Sequence, residues 1–321
     1  MTFFKNDNII LINKRLNLPI FKVHRGKFHM TDSENFIRTA SFNVRYKNAF
    51  DFGNSWSNRK EMAASMIEFH HIDTAGLQEV VFDQLQDLIY LLPDYSWIGV
   101  GRGDGKNEGE YSPIFYKKSM FDLLDSGTFW LSETPDVPGS KGWDALCVRI
   151  VTWAKFKRIK DGSTFFHFNT HFDHFGKEAV RQSAYLLLNK IEDIAENFPV
   201  IVTGDFNCSN KSDVYNILTG NFKNDEIAKR SLIDSYKVSI NPHHGPDISF
   251  HSFKAAKIFD MLSKRTGISK ENIGSSGKYG SLIDFIFIKN NVKVLNHGIL
   301  SDTWNGKYPS DHMPVVADIL I

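Results

Sequence analysis

The chain has 321 residues, 42% hydrophobic and 13% aromatic, with a formal net charge of +1. That is enough apolar material for one large core or two modest ones. No apolar run is long enough to cross a bilayer, and two cysteines as distant as Cys147 and Cys208 make no disulfide framework, which fits a reduced, cytoplasmic setting.

Residues 1–30 hold six Lys/Arg and one Asp, which leaves residues 31–321 at −4. This balance argues against a dedicated binder of long nucleic acids but leaves room for a local basic cleft. Residues 1–30 read as a loose N-terminal extension ahead of a single domain over residues 31–321. The apolar run "IILI" is cut off by Asn13, Lys14 and Arg15, and it lacks the length and cleavage site of a secretory signal.

Taken in chain order, "RTASFNV" (38–44) is rich in strand formers. A helical stripe follows at Met62, Met66 and Phe69, with Ser57 as its expected cap. A second stripe runs through Leu85, Leu88, Ile89 and Leu92. "GRGDGKNEGEYSP" (101–113) and "SETPDVPGSKGWD" (132–144) read as long loops. "CVRIVTWAKF" (147–156) and "TFFHFNT" (164–170) read as a strand pair, and Val180, Ala184, Leu187, Ile191 and Ile194 as a helix face. "PVIVTG" (199–204) and "LIDFIFI" (282–288) are further strands, separated by an irregular stretch over 241–280. Strands outnumber helices, and the hairpin-like pair implies antiparallel pairing. Layered sheets flanked by helices satisfy this pattern.

Polar residues recur at strand ends. Asn43, Glu79, His171, Asp205, Asn207, Asp284, Asp311 and His312 each stand beside or within an apolar run. A buried carboxylate is costly unless paired or metal-bound, so eight such residues suggest convergence at one end of a sheet. Glu79 and Asp311 offer hard oxygens and Asn43 an amide oxygen, the set that Mg²⁺ or Mn²⁺ prefers. His171 and His312 can bond phosphate oxygens or move protons. Asp284 can hold one imidazole in its tautomer. Asp205 can orient and deprotonate a water, with Asn207 fixing the geometry.

The ordered set "SFNVR", "GLQEV", "NTHFDH", "TGDFN", "IDFIFI" and "SDHMPV" resembles the endonuclease/exonuclease/phosphatase superfamily, over roughly residues 36–321. "EYSPIFY" and "GTFWLSETP" look like a bacterial and fungal branch near the carbon-catabolite-repressor deadenylase-like group. The resemblance implies an α/β fold, a four-layer α-β-β-α sandwich of two packed mixed sheets of the deoxyribonuclease-I-like kind. It implies Mg²⁺ (or Mn²⁺) on Glu79 with Asn43 and Asp311 close by, and a water prepared by Asp205 and Asn207. It also implies phosphate contacts from His171 and His312, with Asp284 paired to His312. Tyr111 falls where some members place a phosphate-contacting tyrosine.

The expected partner is a phosphate ester, either a nucleic acid or a small sugar- or lipid-linked phosphate. No membrane span and no obligate protein partner are expected. Arg45, Arg102 and His174 are candidates for substrate contact. Trp130 and Trp143 read as loop anchors ahead of base-stacking platforms, and Cys208 as a packed thiol. His243, His244 and His251 read as surface residues ahead of a zinc cluster. Two other functions fit parts of the sequence. "NTHFDH" comes one residue short of the H-x-H-x-D-H of metallo-β-lactamase-type zinc hydrolases. A catalytically inactive binding module would have lost a metal carboxylate or a catalytic histidine, and none is missing.

Overall fold

The computed structural model describes residues 36–221, 229–253 and 280–321. The expected N-terminal extension and most of "GSSGKYG" lie outside them. In chain order the strands are β1 (Ile37–Asn43), β2 (Thr74–Gln78), β3 (Tyr95–Ile98), β4 (Ile114–Lys117), β5 (Phe121–Trp130) and β6 (Ile150–Arg158). Then come β7 (Thr164–His171), β8 (Val200–Asp205), β9 (Ile233–Asp234), β10 (Asp284–Lys289), β11 (Lys293–Ile299) and β12 (Val315–Leu320). They form two mixed six-stranded sheets, ordered β11-β12-β1-β2-β4-β3 and β5-β6-β7-β8-β10-β9.

Each sheet has one central parallel pair, β1 with β2 and β7 with β8. Parallel neighbours need a crossover connection. Helix α1 (Lys60–Phe69) supplies the first and α3 (Lys177–Ala195) the second. With α2 (Phe82–Leu91) they make the outer layers, and three apolar clusters fill the space between the four layers.

The α3 stripe is buried at Val180, Ala184, Leu187 and Ile191 as its period predicts, with Ile194 half-buried. The α1 stripe differs. Its buried residues are Ala63, Ala64, Met66 and Ile67, while Phe69 is 73% exposed at the last turn. Ser57 is exposed and caps nothing, because a 3-10 turn at Trp56–Asn58 delays the helix until Arg59. The strand expected from Cys147 begins at Ile150, since Asp173 Oδ2 accepts from the Cys147 N–H and holds it in a loop.

Strand period two explains the middle layer. On β7, Phe166 and Phe168 face α3, while Phe165, His167, Asn169 and His171 face the other sheet. That inner face is apolar at Phe165 and Ile201, then polar at His167, Asn169 and Thr203. These polar groups satisfy one another. His167 bonds Thr74 and Thr203 at 2.9 Å each, and Asn169 donates to the Leu77 and Pro113 carbonyls.

Gly76 lies tight against the facing sheet. A Cβ there would stand 2.0 Å from Thr203 Oγ1 and 2.4 Å from Asn169 Oδ1. Overpacking of this kind costs about 1–3 kcal/mol or more. Gly76→Ala is therefore expected to lower the melting temperature clearly. Gly53→Ala, where nothing lies within 4 Å, serves as the control. Equal melting temperatures for the two variants would refute this account.

Candidate active site

The polar strip continues to the ends of the strands. Asn43, His171 and Asp205 close β1, β7 and β8, and Glu79 follows β2. Two antiparallel neighbours bring their starts to the same end: Asp284 opens β10 opposite Asp205, and Asp311 and His312 lead into β12. Three residues leaving these strand ends adopt left-handed backbone without being glycine, namely Arg45 (φ 58°), Glu79 (φ 61°) and Asn207 (φ 48°). Each such conformation costs on the order of 1 kcal/mol or more and persists where its surroundings enforce it, often at functional sites.

Asp205 is at the centre, 2% exposed. Its Oδ2 accepts from Asn43 Nδ2 at 3.0 Å and its Oδ1 from the Asn207 N–H at 3.0 Å. His171 Nε2 and His312 Nε2 stand 3.5 and 3.7 Å from Oδ2. Burial first, and then the charge of Asp284, push the Asp205 carboxyl above its usual range.

The two histidines are held in different states. Asn207 Nδ2 donates to the Phe172 carbonyl at 3.0 Å, which sets the direction of its amide. The same nitrogen faces His171 Nε2 at 3.1 Å, so that ring nitrogen accepts. His171 is thus neutral with its proton on Nδ1, which has no partner among the described residues. Burial, and next the charge of Arg149, hold its pKa well below the ordinary value. His312 is the reverse case. Burial opposes its charge, but Asp284 at 2.8 Å from Nδ1, together with Asp205 and Asp311, outweighs burial and raises its pKa.

A second group faces this one. Glu79 accepts from Asn43 Nδ2 at 3.1 Å and from the Tyr46 N–H at 2.9 Å. The Arg45 guanidinium pairs with Asp51 and stands 3.9 Å from both Glu79 Oε2 and Asp311 Oδ2. Two carboxylates therefore share one loosely placed cation, and their hard oxygens fit Mg²⁺ or Mn²⁺. Asn43 does not present its oxygen to them. Its Oδ1 accepts from the Arg45 N–H at 2.9 Å and its amino group bridges Glu79 and Asp205, so ligation would require the amide to turn over. Asp205, Asp284 and His312 also lie close enough to hold a metal. Asp284 Oδ2 and His312 Nδ1 already bond each other at 2.8 Å, which leaves Asp284 Oδ1 and His312 Nε2 as the atoms that set could offer.

Arg59, 1% exposed, binds no carboxylate directly. It donates to the carbonyls of Asn54, Val44, Arg45 and Pro309, tying together the loops that follow β1 and precede Asp311. Burial pulls its pKa down to about 10.

The motif "NTHFDH" comes apart. His171 joins Asn207 and Asp205. Asp173 accepts three backbone N–H groups, from Cys147, Phe175 and Gly176, and so staples two loops. His174 is exposed and its Nδ1 meets Arg149 Nη2 at 3.2 Å. Among the described residues the three form no metal-holding group.

Arg102 and His174 instead belong to a neighbouring cluster that sequence reasoning missed. Arg102 bonds Glu110 at 2.7 Å, and the buried Arg149 stands 3.8 Å from Glu110. The charges of Arg149, Arg102 and His174 all act on His171. Nothing local in "CVRIV" or "GEYSP" marks Arg149 or Glu110, because only the fold pairs them. Tyr111 is packed in the core, 1% exposed, with its hydroxyl donating to Asn107 Oδ1 at 3.1 Å and its N–H to the Val80 carbonyl beside Glu79. Trp130 anchors a loop through Nε1 to the Arg102 carbonyl. His243 pairs with His297 rather than with His244 or His251. Cys208 is buried, and burial pushes its thiol pKa up to about 12.

Residues 40–312 match the model of the Endonuclease/Exonuclease/phosphatase family. A solved family protein from Bacteroides vulgatus is 42% identical, covering 88% of this chain and 98% of that one, with a TM-score of 0.76. A mannosyl-6-phosphatase from Bacteroides thetaiotaomicron is 36% identical, covering 89% and 100%, with a TM-score of 0.76. The human Nocturnin catalytic domain, solved with a bound sulfate anion, shares the fold at 19% identity, covering 89% and 93%, with a TM-score of 0.63. No curated protein matches significantly. No described helix is long and apolar enough to cross a membrane.

Proposed function

The chain belongs to the endonuclease/exonuclease/phosphatase family, and from that premise we propose that it is a metal-dependent phosphoesterase acting on a small sugar phosphate. The observation that carries the reading is the buried Asp205 carboxylate, held by Asn43 and Asn207 between a neutral and a charged histidine.

In this reading Asp205 orients a water in line with the phosphorus–oxygen bond and takes its proton as the new bond forms. His312, kept charged by Asp284, stabilises the added negative charge on the phosphoryl oxygens. His171 has one free N–H donor, and it fixes the Asn207 amide. Arg149, Arg102 and His174 form a basic rim for the substrate, with Arg45 on the opposite side. Glu79 and Asp311 would hold Mg²⁺ or Mn²⁺, with Asn43 bracing Glu79. When bound, the metal supplies Lewis-acid stabilisation of a phosphoryl oxygen.

Two observations support a compact substrate over a nucleic acid. Residues 31–321 carry −4, and the chain is 36% identical to a mannosyl-6-phosphatase over 89% of its own length and all of that protein's. The test is a panel of hexose 6-phosphates, phosphodiesters and oligonucleotides, each with Mg²⁺, Mn²⁺, Zn²⁺ or chelator. The expected outcome is hydrolysis of sugar phosphates with Mg²⁺ or Mn²⁺. Preference for oligonucleotides would overturn the substrate class. Activity with zinc alone would overturn the metal assignment, and no hydrolysis under any condition would leave a binding module.

A further inference from the structure

We propose that Ser249 is a positioning residue that fixes Asp284, and through it the ring of His312; this rests on the phosphoesterase reading above. Ser249 is fully buried, on a short strap before Phe253 that lies between the leads into β10 and β12. The strap bonds both leads through its backbone. Ser249 N–H donates to the Ser281 carbonyl at 3.0 Å, Met313 N–H to the Ser249 carbonyl at 2.6 Å, and His251 N–H to the Asp311 carbonyl at 3.0 Å.

The direction of the Ser249 hydroxyl follows from counting. A serine hydroxyl has two lone pairs and one hydrogen. Ile283 N–H and Asp284 N–H donate to Oγ at 3.2 and 3.1 Å, which fills both acceptor sites. The single hydrogen is left for Asp284 Oδ2 at 2.6 Å. That oxygen also accepts from His312 Nδ1 at 2.8 Å, while Oδ1 is buried without a partner among the described residues.

Asp284 is thus held by one oxygen. Oδ2 takes the Ser249 hydroxyl hydrogen and pairs with His312 Nδ1, which turns the ring's Nε2 toward Asp205. The Phe250 ring, next along the strap, packs against the His312 ring with centroids 4.8 Å apart and limits its tilt. Without the hydroxyl, the Asp284 carboxylate is free to rotate and offer Oδ1 instead, and His312 loses its set direction.

The experiment is a mutant cycle on sugar phosphate hydrolysis with Mg²⁺. Ser249→Ala removes a hydrogen bond to an ionised group, and kcat is expected to fall roughly 10- to 100-fold with little change in KM. Ser249→Thr keeps the hydroxyl and is expected to recover most of the rate. Ser249→Ala added to Asp284→Ala is expected to cost no more than about twofold further, because Ser249 acts through Asp284. A wild-type rate in Ser249→Ala, no recovery in Ser249→Thr, or losses that multiply in the double variant would each overturn the proposal while leaving the phosphoesterase reading intact. Should the wild-type protein hydrolyse nothing on the panel, the functional reading fails by itself. The same cycle is then read on melting temperature, where a smaller loss in the Asp284→Ala background supports the coupling and strictly additive shifts refute it.

Discussion

Asp205→Asn is expected to lower kcat by roughly 100- to 10,000-fold and yet to raise the melting temperature of the metal-free protein. The first effect follows from losing the buried carboxylate that, among the described residues, stands within 4 Å of both histidines. An amide takes no proton from water. The second effect comes from the cost of burying that charge. Asp205 is almost fully enclosed and sits opposite Asp284 in the β8–β10 register. Keeping such an ion costs several kcal/mol after relaxation. The substitution gives up one hydrogen bond, because an amide nitrogen cannot accept from Asn43, at about 1–3 kcal/mol. Relief of the charge is the larger quantity.

The pH dependence has a definite sign. Burial and Asp284 raise the folded-state pKa of Asp205 to about 7. A carboxyl raised above its unfolded value contributes stability at low pH and loses it as pH rises through the folded value. The gain from Asp205→Asn should therefore be larger above pH 7 than well below it. Thermal melts in chelator across pH, beside steady-state rates with metal, check both halves. A variant that turns over at wild-type rate removes Asp205 from the chemistry. A variant that is less stable at every pH removes the buried-charge argument.

Glu79→Gln is expected to weaken Mg²⁺ or Mn²⁺ binding by at least about 100-fold, since even partners one step removed from a metal typically cost 10- to 100-fold. Rates should fall with it, and chelation should silence the wild-type protein until Mg²⁺ or Mn²⁺ is restored. Glutamine keeps the shape and one oxygen, so the Tyr46 or Asn43 contact can survive and the fold should hold. Calorimetric titration of metal reads the effect without any turnover. Asp284→Asn is the discriminating partner. If it abolishes metal binding while Glu79→Gln does not, the ion belongs among Asp205, Asp284 and His312 instead.

Much of this arrangement was legible in single strands. "TFFHFNTH" alternates phenylalanine with polar residues, and period two alone sends them to opposite faces. The α3 stripe was legible for the same reason. Phe69 was not, because a periodic stripe says nothing about where a helix ends relative to the sheet it covers. Asp173 and His174 stand beside His171 in one six-residue motif. Their fates diverge because the chain leaves β7 at His171, and backbone N–H groups from two loops then claim Asp173. Arg149, Glu110 and Ser249 were invisible, since each is ordinary in its local context.

The sequence by itself determined which residue types stand at the strand ends and which face of each strand carries them, because both depend only on the next few residues. Tertiary structure alone decided what those groups do to one another. It turned the Asn43 amino group toward Asp205 and Glu79, made His171 neutral and His312 charged, and set Ser249 against Asp284. Hydrogen-bond direction and charge depend on burial and on partners from distant segments, and those partners meet only when the two sheets pack.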